Sequence, residues 1–164
     1  MPSSPIAFDL PPHDLKRARR FAVQCLYGQD LKAQLFPDAA GWEQFCLRFQ
    51  VAADLEPFAR WLSQGALEEV QSIDQAIEAH SKNWKLHRIA RVDLAILRIC
   101  AFELLHRPQV PPAVVIADAS EMGKLYGGSL SGGFLHGVLD GIVKGQPHVP
   151  DSPAEGTHGN GSPQ

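Results

Sequence analysis

The chain has 164 residues, of which 45% are hydrophobic and 20% charged, with a formal net charge of -3 at pH 7. That length can bury a core in one domain without disulfides or a structural metal, and the net charge excludes a protein that is basic all over. Three isolated cysteines, Cys25, Cys46 and Cys100, fit reduced core thiols, while an N-terminus with neither a basic leader nor a long apolar run predicts a soluble cytoplasmic protein that does not enter a membrane.

Charge is unevenly spread along the chain. Residues 38–78 hold eight acids against Arg48 and Arg60, residues 82–107 hold six bases against Asp93 and Glu103, and Lys16, Arg17, Arg19 and Arg20 crowd into one short stretch. The proline-rich residues 1–13 read as a flexible arm. Asp14 suits an N-cap, and Ala18, Ala22, Cys25 and Leu26 then share one face of a helix from Leu15 to about Tyr27, which Gly28 and Asp30 end. Cations in the first turns of a helix oppose its dipole, so this end is either a solvated surface or one that awaits an anionic partner.

Pro37 and Asp38 open a second helix, in which Trp42, Phe45, Cys46 and Phe49 recur at intervals of 3, 4 and 7. A third runs from Glu56 to Val70, with Pro57 in its first turn and Phe58, Trp61 and Leu62 inward. A fourth begins at Ser72 and buries Ile73, Ala76 and Ile77. Asn83-Trp84 forms a junction before the stretch from Arg88 to Arg107. There, between Val92 and Leu105, only Asp93, Arg98 and Glu103 are polar. A helix apolar nearly all round must be enclosed by other helices, and its buried charges need partners inside the fold.

Pro108, Pro111 and Pro112 stop that helix. Ala113 to Tyr126 forms a sixth, which Gly127-Gly128 cap, and Ser131 serves as N-cap to a last helix that ends at Gly145. Residues 145–164, rich in Gly, Pro, Ser and His, read as a disordered tail. The architecture expected is all-α, a compact bundle of about seven helices, with the body at residues 14–144. The seven histidines show no metal-ligand spacing. The run G-G-S-L-S-G-G follows a helix and lacks the Lys-Ser/Thr of a phosphate loop, and no nucleophile triad is visible. No cofactor, metal or catalytic set is called for, and a binding protein is the reading that survives.

Three ordered blocks resemble the NusB family of transcription antitermination factors: R-A-R-R-F-A-V-Q-C-L-Y, then N-W-K-L-H-R-I-A-R-V-D-L-A-I-L-R-I-C-A-F-E-L-L, then V-I-A-D-A-S-E-M-G-K-L-Y-G followed by F-L-H-G-V-L-D. The resemblance, over about residues 15–144, implies two packed helical subdomains and no catalysed reaction. It implies a factor that binds boxA RNA of ribosomal RNA transcripts together with a small-subunit ribosomal protein, called NusE in this role. The complex then joins elongating RNA polymerase and promotes processive transcription.

By the same resemblance, Lys16, Arg17, Arg19, Arg20 and Phe134 touch RNA, and Tyr27 and Asp93 meet the protein partner. Arginine suits such a role, with forked donors for phosphate and a plane that stacks on unpaired bases. Three places depart from the family pattern: Ala117-Asp118 stands for an Asn-Glu pair, His136 for an Asn, and Gly132-Gly133 for polar or basic residues. An alternative is a helical protein-interaction module related to the N-terminal domain of ribosomal RNA cytosine methyltransferases, without RNA recognition of its own.

Overall fold

The computed structural model describes residues 8–32, 38–81 and 84–145, with residues 30–32 described through their backbone alone. Residues 1–7 of the expected arm, Pro37, Lys82, Asn83 and residues 146–164 of the expected tail lie outside the described residues.

Among the described residues there are seven α-helices and no strand: α1 (Pro12–Lys32), α2 (Ala39–Phe49), α3 (Glu56–Glu68), α4 (Val70–His80), α5 (Arg91–His106), α6 (Pro112–Tyr126) and α7 (Ser131–Gly145). A 3-10 turn at Leu86–Arg88 leads into α5. Local chemistry accounts for several ends. The Asp38 carboxylate accepts the Gly41 N–H at 2.8 Å to cap α2, Pro57 and Pro112 occupy first turns where no N–H is needed, and Gly128 takes a positive φ of 104° beyond α6.

Helix α5 is the centre of the fold, packed against α1, α3, α4, α6 and α7. Eleven of its sixteen residues are buried, which is why a sequence apolar on every side is stable there. The buried apolar side chains, from Ala18 on α1 to Ile142 on α7, form one continuous cluster. Each fully buried Leu, Ile or Phe in it contributes about 1.5–3 kcal/mol relative to exposure. Cys25 and Cys100 are buried free thiols. Burial pushes the Cys25 thiol up to about 12 and Cys100 well above its ordinary value, so both stay protonated.

Three expectations need correction. Helix α1 begins at Pro12 and runs through Gly28, and Asp14 sits inside its first turn beside Arg17 instead of capping it. A helical glycine costs about 1 kcal/mol. Burial of Val23, Cys25 and Leu26 in the same helix outweighs that cost. Residues 8–11, counted with the arm on sequence, lie against the body: the Phe8 ring centroid is 4.8 Å from that of Phe58 and 5.3 Å from that of Trp61. Ser131 does not cap α7; its hydroxyl donates to Asp93 Oδ2 at 3.0 Å, which ties the start of α7 to α5.

The charges embedded in α5 do find partners, from other helices and from the end of α5 itself. Arg98 makes two 2.8 Å hydrogen bonds to Asp74 on α4, and Glu103 is shared by Arg19 and Arg107. Asp74, one of the eight acids of residues 38–78, is therefore engaged inside the fold.

Candidate nucleic-acid interface

The first turns of α1 sort their cations onto two faces. Arg19 lies on the same phase as Val23 and Leu26, all buried, and it is only 2% exposed. Its Nε and Nη2 donate to Glu103 at 2.6 and 2.9 Å, and its Nη1 lies 3.5 Å from Asp118 Oδ2. Burial works against the charge on Arg19, yet the hydrogen bonds and charge of Glu103, with Asp118 adding to them, hold the guanidinium above its ordinary pKa. Sequence alone grouped Arg19 with its neighbours as an RNA contact. The structure turns it inward, where an ion pair holds α1 onto α5 and no ligand at the surface reaches it.

Lys16, Arg17 and Arg20 face outward. Arg17 leans on Asp14 at 3.4 Å, and both Lys16 and Arg20 pair with one exposed acid of α6, Glu121. The hydrogen bond from Lys16 holds the Glu121 carboxyl below its ordinary value. Such exposed pairs are screened by water and worth little, so a polyanion can displace Glu121 from them. Sequence reading missed Glu121 altogether, because nothing local to α6 signals that its carboxylate crosses to α1.

Beneath this layer Asp118 is buried, and neither of its carboxylate oxygens has a hydrogen-bond partner. Burial raises its pKa, with Arg19 pulling the other way.

A second cluster forms where α5, the 3-10 turn and the head of α7 meet. Trp84, Arg88, Ile89, Ala90, Asp93, Leu130, Ser131 and Phe134 line a hollow of about 390 Å³. Phe134 is half-buried against the core, and Trp84 meets it edge-on with centroids 6.4 Å apart. Asp93 and Phe134, assigned on sequence to different partners, thus share one hollow. Asp93 is buried, and its Oδ1 has no hydrogen-bond partner. A Cβ at Gly127 would fall 2.5 Å from that Oδ1 and closer still to Ser131 Oγ, so only glycine lets the α6–α7 turn pass so near.

Burial raises the Asp93 pKa above its ordinary value, and the Ser131 hydroxyl partly opposes this. Between the two values the folded state holds the proton more tightly than the unfolded chain, so this group makes stability fall as pH rises through that window. Asp93→Asn is expected to remove that part of the slope, read as the difference between wild-type and variant urea unfolding in steps upward from about pH 3.8, the ordinary value. Tyr27 is exposed on α1, about 10–16 Å further along the helix axis than the cation cluster at about 1.5 Å per residue. The structure brings it into contact with neither cluster.

Among the described residues no helix is long and apolar enough to cross a membrane. The sequence profile of the NusB family matches residues 16–144. The transcription antitermination protein NusB of Anaeromyxobacter dehalogenans is 43% identical over 133 residues, covering 80% of this chain and 91% of the relative. That of Desulfatibacillum aliphaticivorans is 40% identical over 127 residues, covering 77% and 87%. Among solved structures, T. maritima NusB superposes with a TM-score of 0.70 at 29% identity, covering 86% of this chain and 94% of that one. The NusB chain crystallised with NusE and double-stranded RNA gives 0.72 at 26% identity, covering 80% and 97%. Relatives matched over nearly their whole length carry the antitermination name, which favours that reading over a methyltransferase module. On sequence, profile and fold together, the chain belongs to the NusB family.

Proposed function

We propose that this chain is a bacterial, cytoplasmic transcription antitermination factor that binds boxA-type single-stranded RNA of ribosomal RNA transcripts together with the ribosomal protein NusE. In this reading it joins the RNA polymerase antitermination complex and catalyses no reaction. The observation that carries the proposal is the outward face of α1, where Lys16, Arg17 and Arg20 stand together within its first three turns. Phe134 supplies an aromatic surface at the head of α7, and Tyr27 and Asp93 remain the proposed contacts with NusE. Support comes from the NusB relatives and from the solved assembly of NusB with NusE and RNA.

The test is a salt titration of binding to a short boxA-type RNA, single-stranded and as a duplex, with and without NusE. Lys16→Gln/Arg20→Gln is expected to weaken binding and to lower the log-log salt slope by about 0.7 for each phosphate of the single strand that is no longer neutralised. Glu121→Gln is expected to move affinity the other way by a few-fold, since it frees the same two cations at the cost of two weak, solvent-screened pairs. Arg19 is left unchanged in these variants, because its loss unsettles the core. The reading fails if neither RNA form is preferred over a scrambled sequence even with NusE present.

A further inference from the structure

Two anchors bracket Lys16 and Arg17 on α1. The downstream one is the buried Arg19. The upstream one lies before the helix: the Phe8 ring sits against Phe58 and Trp61 of α3, and Leu10 packs on the same continuous core. Pro11 and Pro12 follow at once. Each proline fixes its own φ and keeps the residue before it extended, so the link from Leu10 to α1 is stiff and passes the anchor on to the helix. The helix then starts on the Pro11 carbonyl, which accepts from the Asp14 and Leu15 N–H groups at 2.9 and 3.0 Å. Both anchors fasten to one buried cluster. Phe58, which seats Phe8, has the Arg107 guanidinium 5.0 Å from its ring centroid, and Arg107 shares the Glu103 carboxylate with Arg19.

We infer that Phe8 is a positioning residue for RNA binding: docked on α3, it keeps the first turns of α1 wound, so that Lys16 and Arg17 meet RNA already in place. The inference rests on the RNA-binding reading above. Those turns need support from outside the helix. Cations near a helix start oppose its dipole, and the first backbone N–H groups of a helix have no partner within it, so such an end frays unless tertiary contacts hold it. A frayed end has to be ordered at the moment of binding, and that ordering is subtracted from affinity. Phe8 removes the cost beforehand without touching the ligand, because its ring is half-buried among the aromatic side chains of α3 while the cations face outward. The buried Arg19 does the same from the other side.

The test uses the full chain with NusE and the same single-stranded RNA, well below the unfolding midpoint of every variant. Phe8→Ala is expected to weaken binding about three- to tenfold at an unchanged salt slope, since a loosened turn must be ordered but the bound complex keeps every phosphate contact. Hydrogen exchange at the Asp14 and Leu15 amides quickens in that variant, while the amides of α5 keep their protection. Phe8→Tyr, whose ring still fills the seat, retains the wild-type affinity. Pro11→Ala/Pro12→Ala leaves Phe8 its seat but loosens the link, and it too weakens binding. Ile142→Val, a truncation in the part of the core supplied by α7, controls for stability alone: it lowers the unfolding midpoint and leaves affinity where it was. The inference is overturned if Phe8→Ala binds RNA as wild type does, if its salt slope falls, or if its Asp14 and Leu15 amides exchange no faster. It is overturned too if Ile142→Val loses as much affinity, which would make the effect one of general stability. Absence of RNA binding by wild type with NusE present instead overturns the underlying reading, and this inference with it.

Discussion

Glu103→Ala is expected to destabilise the fold by about 3–5 kcal/mol, a large part of the stability of a domain this size. The carboxylate is wholly buried and holds two guanidiniums, Arg19 through a bidentate pair and Arg107 through a 2.7 Å hydrogen bond. Its removal strands both cations at 2% and 6% exposure, with Asp118, 3.5 Å from Arg19, as a poor substitute. The cost is that of leaving charge unpaired in the interior, which exceeds what the pair itself contributes over an apolar replacement. Urea unfolding measures it, as a fall in midpoint at unchanged slope. Arg19→Ala/Glu103→Ala should cost less than the sum of the two single changes; strict additivity, or a single-variant loss below about 1 kcal/mol, would sink the argument. The result also bears on function, because an RNA-binding defect in an Arg19 variant then reports on a disturbed core and not on a missing grip on RNA.

That pair shows what the sequence discloses and where it stops. The isolated Glu103 in an otherwise apolar helix demands a buried cation, and Arg19 falls on the apolar phase of α1 with Val23 and Leu26. Both halves of the pair were legible, but four cations in five positions read more readily as one basic patch than as two faces. The helix α5 was plain because a helix apolar on all sides has few places to go. Helix ends were less so: Gly28 is a breaker only where tertiary burial is weaker than its roughly 1 kcal/mol penalty, and here α1 continues past it.

The site was legible in its charges and not in its geometry. Lys16, Arg17 and Arg20 were named from the run they form, whereas Glu121 reaches them across more than a hundred positions of chain, which no local pattern encodes. Asp93 and Phe134 were named through family resemblance and given different partners; only the fold shows that they line the same hollow. Trp84 read as a junction, since a tryptophan out of phase with any apolar stripe gives no sign of whether it is capped by another ring or bare.

Gly65→Ala is the second change expected to cost much, at about 1–3 kcal/mol, although alanine is intrinsically favoured over glycine in a helix by about 1 kcal/mol. Gly65 lies in α3 where that helix crosses the ring of Phe102 on α5. A Cβ there would fall 2.6 Å from both Cε1 and Cε2 of Phe102, and closer still to Cζ. The ring has little freedom to yield, with Trp61 at 4.8 Å and His106 at 4.4 Å between centroids. Either α3 moves off α5 or the aromatic stack shifts, and both cost packing. Gly28→Ala in α1 is the control: nothing lies within 4 Å of its Cβ position, so the same substitution is expected to stabilise by about 0.5–1 kcal/mol. Thermal or urea unfolding of the two variants should therefore move in opposite directions. Phe102→Leu, combined with Gly65→Ala, should recover part of the loss by removing the ring that the new methyl meets. Equal and favourable shifts at both glycines would mean that α3 and α5 are not held at this distance, and the packing around the Arg19–Glu103 pair would have to be drawn differently.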